Sequence, residues 1–161
     1  MLIERFRTWY QHEKAANQAM LDMLDSVPLE NRTDPAFVKA VDLAAHLALC
    51  RENWLNRMDD DGSDVDHWFE TNVDFDILRQ RFANTERLWT LFLHRLTDEK
   101  IEESFSFSDQ DGEEYELQYE IQLTQLVGHS FYHRGQVVQL VDSLGGKTID
   151  TDYLFWAVSR N

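Results

Sequence analysis

Two prolines, Pro28 and Pro35, and six glycines are all that interrupt backbone regularity in this 161-residue chain. Proline removes a backbone donor and glycine loosens the chain, so their scarcity leaves long stretches free to be helical. Four such stretches carry apolar residues at steps of three and four, the helical period. The first runs from about residue 2 to 26 and ends before Pro28, with a seam of Ile3, Phe6, Tyr10, Glu13, Asn17, Met20 and Leu24. The second follows Asp34-Pro35, a pairing suited to a helix N-terminus, and continues to about Met58. The third covers about Asp74 to Leu96, with Ile77, Phe82, Leu88, Trp89, Phe92 and Leu93 expected inside. The fourth begins near Tyr119 and stops at Gly145-Gly146, a natural helix terminus.

Between the third and fourth stretches the period changes. Ser104-Phe105-Ser106-Phe107-Ser108 alternates strictly, and Asp111-Gly112 then leads into Glu113 to Tyr119. This predicts a short hairpin or extended excursion, too small to stand without support from the helices. After Lys147, the run from Tyr153 to Val158 reads as one short helix docking aromatics onto the rest. The expected fold is all-α: one domain over residues 1–161, a four-helix bundle with the excursion before its last long helix and a short C-terminal helix.

Composition limits the function. No apolar run approaches the roughly 20 residues that span a bilayer, and the N-terminus lacks a signal-peptide pattern. A single cysteine, Cys50, excludes an internal disulfide and fits a reducing compartment, so the expectation is a cytoplasmic protein away from membranes. Thirty acidic against fifteen basic residues give a formal charge of −15, which repels a phosphate backbone and argues against nucleic acid as a partner. The acidic run Asp59 to Asp66 lacks the closing glutamate of an EF-hand and is expected to be a solvated interhelical loop.

The chemistry is expected from histidines. His129 and His133 are four apart, so on a helix they differ by about 40° in direction and about 6 Å along the axis. Leu126, Val137, Leu140 and Leu144 share that face, which predicts inward imidazoles. The pair is not the zinc-protease HExxH, because Ser130 stands where the glutamate base would be. His46 lies mid-helix with Leu43, Leu49, Cys50 and Trp54 on its face, so it too is expected to look inward. It reads either as a core histidine bonded to a carbonyl or carboxylate, or as a third ligand from a facing helix.

With these residues in place the chain resembles the DinB-like (YfiT-like) family of metal-dependent enzymes, over nearly its whole length. Ala16-Asn17 with Leu21 and Leu24 resembles the family's first-helix WANxxLL pattern, although Ala15 stands where tryptophan is common. His46, Arg51, Trp54, Leu55 and Arg57 match its HLxxxxRxWLxR helix, and Asp111-Gly112 resembles its glycine turn. His129 to Val137 is close to its HxxHHRGQV segment, and Leu144-Gly145 with the Tyr153 to Trp156 tail fits its ending.

The resemblance implies a four-helix bundle, often a homodimer, with His46, His129 and His133 as ligands of one divalent transition metal. Nickel and zinc lead, with iron, manganese, cobalt or copper also compatible with imidazole ligands. It implies a small-molecule substrate, with thiol transfer using a low-molecular-weight thiol such as bacillithiol or mycothiol, or metal-assisted hydrolysis. The alternative is a non-catalytic, metal-stabilised, dimeric stress-related module. Three neutral imidazoles leave a coordination position open, as in catalytic zinc.

Neighbouring residues carry weaker expectations. Cys50 reads as a small buried residue ahead of a ligand. Glu13 and Asn17 read as groups orienting a histidine or as polar residues at the edge of the bundle. Arg134 can bind an anionic substrate or a carboxylate, or lie on the surface. His12, His67 and His94 lack inward partners at ligand spacing and are expected at the surface, while Trp54, Trp89 and Trp156 are expected in the core.

Overall fold

A computed structural model describes residues 1–59 and 67–160, so the expectation of a solvated loop after Asp59 falls outside the described residues. The chain is mostly helical, with one two-stranded antiparallel sheet. Helix α1 spans Leu2–Asp25, α2 Pro35–Met58, α3 Phe75–Arg95 and α5 Tyr119–Ser143. Short helices α4 (Asp98–Glu102) and α6 (Tyr153–Val158) and strands β1 (Ser104–Ser108) and β2 (Glu114–Gln118) complete the order, with a 3-10 turn at Leu29–Asn31. Helices α1 and α2 each pack against both α3 and α5.

Local chemistry sets the ends of these elements. Asp34 Oδ1 accepts from Ala36 N–H at 2.8 Å and Pro35 takes the first helical position of α2, where a missing N–H costs nothing. Asp74 caps α3 in the same way through Asp76 N–H at 3.0 Å. Helix α5 ends in a Schellman motif: Gly146 N–H donates to Val141 O and Gly145 N–H to Asp142 O. Gly145 holds φ at +74°, and a Cβ on Gly146 would lie 2.6 Å from Val141, so both glycines are required there.

The apolar interior falls into two clusters. One joins Met20, Leu24, Phe37, Val41, Ala44, Leu78, Phe82, Val137 and Val141. The other gathers Ile3, Phe6, Tyr10, Leu55, Trp89, Phe92, Leu93, Phe105, Tyr119 and Leu123, where β1 lays Phe105 onto the helices. Small α4 ties the ends together, with Asp98 Oδ1 accepting from Ile3 N–H at 2.8 Å at the start of α1.

The expected seam of α1 is buried throughout. The seam of α3 is not as expected: Ile77 and Leu88 are 50% and 41% exposed. Leu78, Phe82, Thr85, Trp89 and Phe92–Leu93 form the buried stripe instead, and Ile77 and Leu88 each sit one residue, about 100°, off it. The tail does form one helix, but Leu154, Phe155 and Val158 face solvent, and only Tyr153 and Trp156 dock. Trp89 is fully buried, whereas Trp54 and Trp156 are half-buried at the rim, which corrects their placement in the core.

Candidate metal centre

The three histidines expected to converge do so. His46 on α2 and His129 and His133 on α5 each offer a ring nitrogen, and these atoms lie within 4.8 Å of one another. His46 Nε2 and His129 Nε2 are 3.2 Å apart. Two nitrogens at 2.0–2.1 Å from a tetrahedral ion would be separated by about 3.3 Å, so this pair already has the spacing of one coordination edge.

The helix that carries the pair departs from the expected seam. The buried stripe of α5 is Leu126, Ser130, Arg134, Val137 and Val141. His129 and His133 lie one residue off it, half-buried with Gln136 and Leu140 on the adjoining stripe. They are therefore not fully inward, and the cluster borders solvent on the α5 side. His46, in contrast, is 3% exposed.

Two of the rings have their second nitrogen fixed. His46 Nδ1 is 2.6 Å from Trp68 O, a carbonyl that can only accept, so Nδ1 carries the proton and Nε2 keeps its lone pair. His133 Nδ1 lies 2.7 Å from Gln136 Oε1 and donates to it. Such partners fix tautomer and ring direction in metal sites. Neither Trp68 nor Gln136 was expected to take part. The Gln136 contact is legible afterwards as a helical i, i+3 spacing.

Trp68 belongs to an extended segment pinned to α2 at both ends. Asn53 Nδ2 donates to His67 O at 2.9 Å, and the Asp42 carboxylate accepts from Asn72 and Val73 N–H at 3.1 and 3.0 Å. This strap also stacks Phe69 on His46, with ring centres 4.1 Å apart and planes nearly parallel. Asp42 and Asn53 thus act on the site only through the strap.

Burial lowers the His46 pKa and pulls His129 down to about 4, with the neighbouring histidines adding to the latter. Both rings are neutral at pH 7, the state a metal needs. The donor set therefore fits a divalent transition metal: three imidazoles, two of them pre-oriented, beside an accessible face.

The neighbours sort differently. Cys50 is buried, as expected, and burial pushes its thiol up to about 12. Its Sγ is 3.6 Å from both nitrogens of His46. Among the described residues Glu13 and Asn17 make no hydrogen bond to a histidine, and both are buried rather than at an edge. Glu13 receives both Nε (2.8 Å) and an Nη of Arg51 in a buried fork, and Asn17 Oδ1 accepts from Arg134 Nη1 at 3.2 Å. Arg134 is buried rather than on the surface.

His67 and His94 are exposed, as expected. His12 is not: it is 2% exposed, its Nε2 is 2.8 Å from Thr151 O, and its ring stacks on Phe131 with Tyr153 and Trp156 at its edges. Its partners come from the far end of the chain, which the period of α1 cannot reveal. No described helix is long and apolar enough to cross a membrane.

No curated protein and no solved structure matches this chain. The sequence model of the DinB family matches residues 1–160. With essentially the whole chain covered and the three histidines gathered at one place, the protein belongs to the DinB family.

Proposed function

We propose that His46, His129 and His133 hold one divalent transition metal, nickel or zinc foremost, in a small-molecule enzyme. The four long helices are read as a four-helix bundle forming one domain, paired as a homodimer. The observation that carries this reading is the gathering of three ring nitrogens within 4.8 Å, two of them turned by Trp68 O and Gln136 Oε1.

A metal held by three imidazoles supplies a Lewis acid and can activate a bound water or keep a thiol as thiolate. The half-buried positions of His129 and His133 give a substrate access from the α5 side. Exposed Phe69 and Tyr132 flank that approach, packed on His46 and His133 respectively, and offer apolar surface to a small organic substrate. No carboxylate among the described residues hydrogen-bonds a histidine of the cluster, so the described residues offer no HExxH-like base. That favours transfer of a low-molecular-weight thiol over hydrolysis that relies on a protein base.

The test is cobalt substitution followed by a thiol panel. Cobalt-loaded protein should show visible absorption of a low-coordinate nitrogen-ligated site, and an added thiol that binds the metal should bring a new sulfur-to-metal charge-transfer band. Turnover of an electrophilic acceptor with one thiol supports the transferase reading. A cobalt spectrum indifferent to every thiol, with no turnover, would sink it.

A further inference from the structure

We propose that the cavity between α1, α5 and α6, floored by Arg134, is a second binding site that takes a small aromatic monocarboxylate. It lies on the face of α5 turned toward α1, away from His46, and goes beyond the metal reading.

The first ground is an unbalanced charge. Arg134 is 2% exposed, yet the one hydrogen bond it makes among the described residues uses Nη1, on Asn17 Oδ1. Its buried Nε has no partner. The nearest carboxylate, Glu13, is already occupied on both oxygens by the Arg51 fork. Two buried guanidiniums therefore face one buried carboxylate, and the group left without a counter-ion is Arg134. A buried charge is ordinarily paired, and a buried donor ordinarily bonded.

The second ground is the space beside it. A cavity of about 280 Å³ is lined by Arg134 and Glu13 and walled by Trp9, Phe131, Tyr153 and Val127. Drug-sized ligands occupy clefts from roughly 300 Å³ upward, so this one suits a single-ring molecule. Phe131 is stacked on His12 on one side, and the Arg134 guanidinium lies 5.1 Å from its ring centre. The ring wall is thus held in place by buried neighbours.

The third ground is the shape of the free donor edge. With Nη1 committed to Asn17, the Nε–Nη2 edge has no protein acceptor among the described residues. A fork of this shape matches the two oxygens of a carboxylate once Nε, buried as the side chain now lies, is turned to the cavity. The flat walls accept the aromatic body while the carboxylate supplies the missing counter-charge. Glu13 does not repel it strongly, because Arg51 neutralises that side chain at contact distance.

The experiment is calorimetric titration of the full chain with benzoate and with its neutral isostere benzamide, once with zinc and once with a chelator. One benzoate should bind per chain in both conditions, and benzamide should bind at least about tenfold more weakly, the scale of one charge-assisted hydrogen bond. Arg134→Gln should lower benzoate affinity to that of benzamide. Should that variant fail to fold, Phe131→Ala at the cavity wall should weaken benzoate, and in the wild type the Arg134 Nε–Hε resonance should shift on titration. Equal binding of benzoate and benzamide, or no binding, would overturn the proposal. So would benzoate affinity that survives Arg134→Gln, an unmoved Nε–Hε resonance, or binding abolished by chelator, which would place the anion on the metal instead.

Discussion

The two sides of α5 bury polar groups in opposite ways. Toward α2, His129 and His133 meet His46 with one ring nitrogen of each within 4.8 Å of the others, and no carboxylate among the described residues hydrogen-bonds them. Toward α1, one residue further along the same helix, Arg134 joins Arg51, Glu13 and Asn17 in a charged network. The first arrangement is poor as a packing solution and good as a receptor for an ion. The second locks helices together through the buried Arg51–Glu13 pair and leaves Arg134 with an amide oxygen as its partner. Proximity in sequence does not make Arg134 part of the histidine site; a 100° turn separates the two chemistries.

The largest expected effect lies on the charged side. Glu13→Ala leaves two buried guanidiniums without a carboxylate and should cost about 3–5 kcal/mol, read as a drop in urea midpoint at unchanged m-value. His129→Ala in metal-free protein should instead fall within about 1 kcal/mol of wild type by the same measurement, since it removes a half-exposed neutral ring. Comparable losses for the two variants would break the contrast.

Next comes the orientation of a ligand. Gln136→Ala frees the His133 ring and should weaken metal affinity by about 10- to 100-fold in a competition titration, while leaving the stability of metal-free protein nearly unchanged. An unaltered affinity would show that Gln136 does not set that ring.

The smallest effect is in pH. Between pH 6.5 and about 4, the unfolded chain takes up protons that His129 and His46 resist while folded, so stability of the metal-free protein is present above that window and falls as pH drops through it. With His129 half-exposed and screened by solvent, the loss from it should be of order 1 kcal/mol, seen in a Tm series across that range. His129→Ala should flatten the slope. A slope unchanged in the variant would assign the dependence elsewhere, His12 being the other buried histidine whose pKa is lowered.

These contrasts also mark how far the sequence could be read. The long helices were legible because capping pairs such as Asp34-Pro35 and stops such as Gly145-Gly146 are local, and the α1 seam repeats without a fault. The α3 seam misled because apolar Ile77 and Leu88 sit beside the buried stripe, and apolarity alone does not say which of two adjacent residues turns inward. Helix α4 escaped notice although Thr97 caps it, being shorter than two turns and without a detectable period. In the site, the histidine trio followed from spacing and resemblance. Trp68 did not: it acts through its backbone carbonyl, which any residue possesses, and its position depends on Asp42 and Asn53 gripping an aperiodic strap. The fate of Arg134 was equally hidden, because a charged residue beside a metal motif gives no sign of the buried partner it meets across the interior.

The most direct test of the account is the metal content of protein purified without a histidine tag, for wild type and the His46→Ala/His129→Ala/His133→Ala variant. The account predicts close to one equivalent of a divalent transition metal per wild-type chain and almost none in the variant, with Arg134→Lys retaining the wild-type amount. Wild-type metal content in the triple variant would contradict it.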